Sequence, residues 1–273
     1  MAKLKQENIT KKDIDEYLNK YSDFSFEIKV LNKFSKLKFK CTHSGSYVDP
    51  ATSKFREFDI RATKRFQNSN VKLAIECKNL TSSFPLVAHC LKRSKDESYH
   101  NVITTDPYHK RSSTSYNPLI EKYDYKSSIY KANEFAAKSF DQIGRHITEG
   151  TIIKNDVDSY DKMTQAVNSS KDLVLEAVNE IDPNTLQFII LPLLVIPDNT
   201  LWAIFYDGEG NITKEPELLK HISYYIGRSW PVNKKFNSVY TISHLDIITF
   251  SYIEEFINRF LDGNNDWDDI FLK

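Results

Sequence analysis

The apolar positions of the first eighty residues follow two different rhythms. Between residues 24 and 36, Phe24, Glu27, Leu31 and Phe34 recur at helical spacing, and Ile28 and Val30 widen the apolar face, the pattern of an amphipathic helix. Ser22 and Asp23 stand where its cap belongs. A shorter polar helix is expected over 10–20. From residue 37 the period falls to two. Leu37, Phe39 and Cys41 alternate with Lys38, Lys40 and Thr42, which predicts a strand over 37–42. The stretch 43–54 carries Gly45, Asp49, Pro50 and Ser53 and reads as a turn-rich connection that Tyr47 and Asp49 would pin. Residues 55–63 (FREFDIRAT) form a second extended run. Residues 71–78 set Val71, Leu73, Ile75 and Cys77 on one side and Lys72, Ala74, Glu76 and Lys78 on the other. A helix followed by three closely connected strands predicts an α/β fold with antiparallel neighbours.

Beyond residue 80 the pattern is less regular. A helix is expected to begin within 84–92, an irregular tyrosine-bearing stretch to fill 93–118, and helices to span 130–146 and 158–180. The first of these two has Phe135, Ala136, Phe140, Ile143 and Ile147 near one face. Apolar runs at 187–196 and 201–205 flank Pro197-Asp198-Asn199-Thr200 and predict a buried hairpin. A strand over 238–249, a helix ending near Leu261 and an acidic tail complete the chain. With no linker in evidence, 1–273 is expected to be one domain. Its motif-bearing core is 24–80, a helical and loop insertion fills about 92–180, and C-terminal strands and a helix fill 186–262.

Composition adds bounds. The 273 residues are 40% hydrophobic, enough for a substantial core. The longest apolar run, 188–196, contains Pro192 and falls short of the roughly 18 residues of a membrane span. The first ten residues lack the apolar core of a secretory leader. Cys41, Cys77 and Cys90 are odd in number and form no CxxC, so neither a disulfide framework nor a zinc knuckle is expected, and a reducing cytoplasm is the expected setting. Net charge is zero, but residues 1–150 hold 27 Lys and Arg against 18 Asp and Glu, and the remainder 10 against 19. The first half therefore has the sign that attracts a polyanion.

Chemistry concentrates in that half. Glu76 and Lys78 are two apart on a strand and project from one face. Asp59, on the preceding strand, falls nearly opposite Glu76 if the two strands pair. Two converging carboxylates repel, more so when buried, and a divalent ion such as Mg²⁺ resolves the conflict. Glu27 occupies the apolar stripe of its helix, where a charge is costly without a metal, a cation or donors.

Glu27, YVDPATSKFREFDIRA (47–62) and LAIECKN (73–79) together resemble the PD-(D/E)xK, restriction-endonuclease-like nuclease superfamily. The resemblance covers residues 24–80; LQFIILPLLVIPDNTLWAIFYD (186–207) is similar to a strand pair that extends the central sheet in some members. It implies a central mixed sheet flanked by helices, with an extended C-terminal strand pair. Asp59 and Glu76, with the main-chain carbonyl of Cys77, would ligate Mg²⁺ or Mn²⁺. Lys78 would orient the attacking water, and Glu27 would hold a second metal or a metal-bound water. The implied activity is Mg²⁺-dependent endonucleolytic hydrolysis of DNA, in bacterial defence as a restriction or anti-phage enzyme. A homodimer or a partner protein of such a system would complete it. Two alternatives stand beside this: a catalytically inactive module of the same fold that binds nucleic acid or a partner, and an RNA-cleaving relative.

Arg56, Arg61, Lys64 and Arg65 flank the Asp59 strand and are candidates for phosphate contacts; a solvated edge explains them equally. The basic, tyrosine-bearing segment 92–126 is a candidate stacking surface, with a long surface insertion rich in tyrosine the preferred reading. Gln165 is a possible site-facing residue on helix 158–180, though a polar helix surface explains it better. Seven dispersed histidines, with no i,i+4 or HxH pair, give no metal motif.

Overall fold

A computed structural model describes residues 6–20, 22–66, 69–105, 118–146, 148–154, 157–180, 187–233 and 238–259. In chain order the elements are α1 (Lys11–Lys20), α2 (Phe24–Lys36), β1 (Lys40–Val48), β2 (Phe55–Phe66), β3 (Ser69–Cys77), β4 (Leu86–Lys92), β5 (His100–Thr105), β6 (Pro118–Tyr123), β7 (Phe135–Arg145), β8 (Ile152–Lys154), α3 (Val157–Glu180), β9 (Gln187–Ile196), β10 (Leu201–Tyr206), β11 (Ile212–Leu218), β12 (His221–Asn233), β13 (Ser238–Thr249) and α4 (Ile253–Asn258). The strands join in a large mixed sheet flanked by few helices, with the order β1-β2-β3-β9-β13-β12-β7-β4-β10-β11; β5 pairs with β6 and β9, and β8 with β7.

The ten-residue apolar run of β9 lies at the centre. It pairs in parallel with β3 (Glu76 opposite Leu194) and with β13, and every residue of it is buried. One face, with Phe188, Ile190 and Leu194, packs under α3; the other, with Ile189, Leu193 and Val195, packs with Phe26, Val30 and Phe34 of α2 and with Ile253 and Phe256 of α4. A strand covered on both faces is expected to be continuously apolar. Helix α3 is fastened along β2 and β3 by ion pairs: Lys72 reaches Glu180 at 2.8 Å and Arg61 reaches Glu176 at 3.2 Å. No helix among the described residues is long and apolar enough to cross a membrane.

Several expectations are corrected. The segment 130–146 contains β7, not a helix, and 84–92 contains β4, not a helix start. The first carries Ala132, Ala136 and Ala137 and the second Leu86 and Leu91, whose local preference for helix gives way because β7 and β4 pair with each other inside the sheet. The segment 93–118 is not irregular throughout, since β5 occupies 100–105 and pairs with β9; residues 106–117 lie outside the described residues. The runs 187–196 and 201–205 are not a hairpin. Four strands separate β9 from β10, yet Leu201, Ala203 and Phe205 share a core with Phe188, Ile190 and Leu194. The sheet therefore folds back over itself, and the turn at 197–200 crosses from one wall to the other. Strand β1 starts later than 37 because Lys38, at φ 67°, ends α2 in the left-handed region. It then continues through most of the expected turn to Val48. Asp49 does pin the following turn, accepting the Ala51 and Thr52 amides at 2.8 and 2.9 Å.

Gly45 is a required residue on β1. It lies opposite Phe58, and a Cβ there would stand 2.2 Å from the ring's Cζ. The ring is held from above by the Arg61 guanidinium, 4.2 Å from its centroid. Gly45→Ala is therefore expected to displace a buried ring and lower stability by about 1–3 kcal/mol, read as a fall in the urea midpoint.

Candidate active site

The β2–β3 register pairs Ile60 with Ile75, and this brings the preceding and following residues, Asp59 and Glu76, together at the strand ends. Their side chains are interlocked with the backbone. The Cys77 amide donates to Asp59 Oδ2 at 2.8 Å, and the Asp59 amide points to Glu76 Oε1 at 3.4 Å. Lys162, on the second turn of α3, completes the arrangement. Its Nζ donates to Asp59 Oδ1 and Oδ2 at 2.8 and 2.7 Å and to Glu76 Oε2 at 3.1 Å. Glu76 is fully buried, while Asp59 and Lys162 retain slight access to solvent.

Glu27 approaches from the first turn of α2. Its Oε2 is 3.1 Å from Nε2 of His43 on β1, and the His43 ring lies 5.7 Å from the exposed Phe24. Glu27 is close enough to Asp59 and Lys162 to feel both charges. Asp59 and Glu76 thus hold Lys162 between them, while Glu27 bonds to His43 and interacts with that pair through charge alone.

The electrostatics follow. Burial, and then the Asp59 charge, push the Glu76 carboxyl well above the usual range. Burial, and then Asp59, also raise Glu27, partly offset by the bond to His43. Burial on its own would lower the Lys162 ammonium, but Glu76 and Asp59 outweigh it and hold the ammonium firmly charged. The cluster holds three carboxyl groups against one ammonium.

Glu27, Asp59 and Glu76 are therefore brought together as anticipated, and Cys77 stands at the same strand end. Lys78 is not brought in. It follows the last residue of β3 and turns to the start of α2, where its Nζ meets Asp23 Oδ2 at 3.2 Å and the Asn79 amide meets Asp23 Oδ1 at 2.7 Å. Lys162 takes the place beside Glu76. The sequence carries little signal for it, a lysine on an amphipathic helix far along the chain. His43 was equally hidden, because the segment around it reads as a turn. Gln165, one turn beyond Lys162, is half-buried. Of the flanking cations, Arg61 is taken up by Asp172 and Glu176, Lys64 donates to the Leu37 carbonyl at 2.7 Å, and Arg56 pairs with Asp49 at 3.0 Å. Arg65 is exposed.

Among the described residues no group of three or more His, Cys, Asp or Glu side chains is arranged to close around a metal ion. The chemistry of the donors nevertheless suits a hard divalent cation. Oxygens of Asp59 and Glu76 already converge on one positive centre, the Lys162 nitrogen, and Glu76 is fully buried. No family model matches the chain, and comparison with curated proteins and with solved structures returned no match.

Proposed function

We propose that the chain is a metal-dependent endonuclease of the PD-(D/E)xK kind, hydrolysing phosphodiester bonds of DNA, with a role in bacterial defence. The observation that supports this is the meeting of Asp59 and Glu76 around a single amine at the ends of adjacent strands, with Glu27 of α2 within reach of their charge. Asp59 and Glu76 would hold Mg²⁺ or Mn²⁺, with Glu27 and the Cys77 carbonyl at its margin. When bound, the ion would lower the pKa of a water and screen charge developing on the phosphate. Lys162, and not Lys78, is the amine beside these carboxylates; it keeps its proton and stabilises phosphate charge. Glu27 pairs with His43 at 3.1 Å and its carboxyl is raised by burial and by Asp59, an arrangement suited to passing a proton.

The test is digestion of single- and double-stranded DNA and RNA with Mg²⁺ or Mn²⁺. Wild type is expected to cut DNA, Asp59→Ala and Glu76→Gln to be inactive, and Lys78→Ala to keep most activity. Cutting that survives Asp59→Ala would overturn the assignment.

One observation favours a second reading. Lys162 already satisfies both Asp59 and Glu76, as in a purely structural ion cluster, and this fits a nuclease-like module that binds without cutting. Absence of Mn²⁺ binding by calorimetry, together with absence of cleavage, would select it.

A further inference from the structure

On the far side of the start of α3 from Lys162, the structure contains a cavity of about 380 Å³, within the range of small-ligand sites. Its walls are aromatic. Phe140 and Tyr224 meet edge to face at 5.1 Å, and Tyr160 stands at the mouth with 60% of its surface exposed. The polar groups gather around Asp141. Its Oδ2 accepts from His89 Nε2 at 3.1 Å, and its Oδ1 pairs with the Lys154 ammonium. His89 is fixed in turn by the Tyr206 hydroxyl, 2.9 Å from Nδ1. Partial burial acts to raise the Asp141 carboxyl, but the Lys154 and His89 bonds outweigh it and hold it below the usual range. The pocket is tied to the candidate active site through α3: Tyr160 precedes Lys162 by two residues, and Ser159 Oγ donates to Gln142 Oε1 at 2.9 Å, beside Asp141.

An exposed tyrosine facing a ring-lined wall accepts a planar heterocycle by stacking. The polar edge then selects among heterocycles. An ionised carboxylate only accepts, and with about four lone-pair sites it can take two further donors after His89 and Lys154. Guanine alone among the DNA bases presents two adjacent N–H donors, N1 and N2, with a carbonyl, O6, beside them for an ammonium. Adenine and cytosine turn a ring acceptor toward the carboxylate, and thymine places its one N–H between two carbonyls. In a duplex this edge is already paired, so the base must be unpaired.

We infer that this pocket is a subsite for an unpaired guanine of the substrate strand, a few nucleotides from the phosphodiester held near Lys162. The assignment of a nucleic-acid strand rests on the function proposed above, while base selection rests on the pocket itself.

The test is fluorescence anisotropy in EDTA, using short labelled thymine DNA strands with one central guanine, adenine, cytosine or thymine. The guanine strand is expected to bind about tenfold tighter than the others. Asp141→Asn, which keeps the shape, should erase that preference, and Tyr160→Ala should weaken every strand by about tenfold, the scale of a lost stacking contact. Equal binding of all four strands, or an unchanged preference in Asp141→Asn, overturns the inference. Cleavage with Mg²⁺ is scored separately. Guanine preference without cutting keeps the pocket and removes the nuclease; cutting without preference does the reverse.

Discussion

Lys162→Ala is expected to destabilise the metal-free protein by about 3–5 kcal/mol at neutral pH, the usual consequence of removing one partner from a buried ion pair. The ammonium is the countercharge that directly contacts both Asp59 and Glu76, and Glu76 has no solvent to replace it. The loss should shrink as the pH falls, because Glu76, raised by burial and by Asp59, takes up a proton more readily than an ordinary carboxylate. A divalent ion should restore much of the stability by occupying the vacated position, so millimolar Mn²⁺ should raise the melting temperature of Lys162→Ala more than that of wild type. If the proposed function holds, cleavage should also fall by roughly 10²–10³, as when one preorganised charge-stabilising group is removed. Lys78→Ala, which breaks only the contact with Asp23, should show neither effect. Thermal melts with and without Mn²⁺ separate these outcomes. A melting temperature unchanged in Lys162→Ala would remove the lysine from the site.

The second large effect concerns acid. His100 is enclosed, and burial draws its pKa down to about 3. His244 lies well below its ordinary value, first through burial and then through the charge of Arg93, whose Nε donates to its Nε2 at 3.0 Å. Both folded values are depressed below an unfolded value of 6.5. Their contribution to stability is therefore fully present above about pH 6.5 and is lost as the pH falls, because the unfolded chain binds the protons. Each histidine removes about 1.4 kcal/mol per pH unit below that point. Glu27 and Glu76, with raised values, act in the opposite sense: the folded state holds their protons, so their part grows as the pH falls toward the unfolded carboxylate value. The two sets are separable by substitution. In urea titrations between pH 6 and 4.5, His100→Gln or His244→Gln should flatten the acid loss by nearly one proton, whereas Glu76→Gln should steepen it. Equal slopes in wild type and His100→Gln would show that His100 is protonated in the fold.

The carboxylates were legible in the sequence because strand alternation and the short connection between residues 55–63 and 71–78 fix their relative positions. Asp59 and Glu76 meet for local reasons. Glu27 was legible as a charge in an apolar stripe. Lys162 and His43 were not, since their arrival depends on the docking of α3 and on the extra length of β1, both decided by tertiary packing. The same holds for the fold. The α2–β1–β2–β3 unit and the helix over 158–180 follow from periodicity, with α3 observed at Val157–Glu180. β7 and β4 did not, because their burial does not alternate: β4 is buried over most of its length and β7 half-buried over most of its own, so neither leaves a period-two signature. β11, exposed along its whole length and apolar only at its ends, Ile212 and Leu218, shows no alternation to mark it.

The parallel pairing of β3 with β9 has a consequence for synthesis. Glu76 leaves the ribosome long before Leu194, the residue it lies beside. Until β9 has been translated, the strand bearing Glu76 has only its hairpin neighbour, and the helix that carries Lys162 can rest on β2 and β3 but lacks the β9 part of its floor. A nascent chain therefore joins Asp59 and Glu76 in their hairpin first, and the Lys162 amine is locked between them only after β9 has been made.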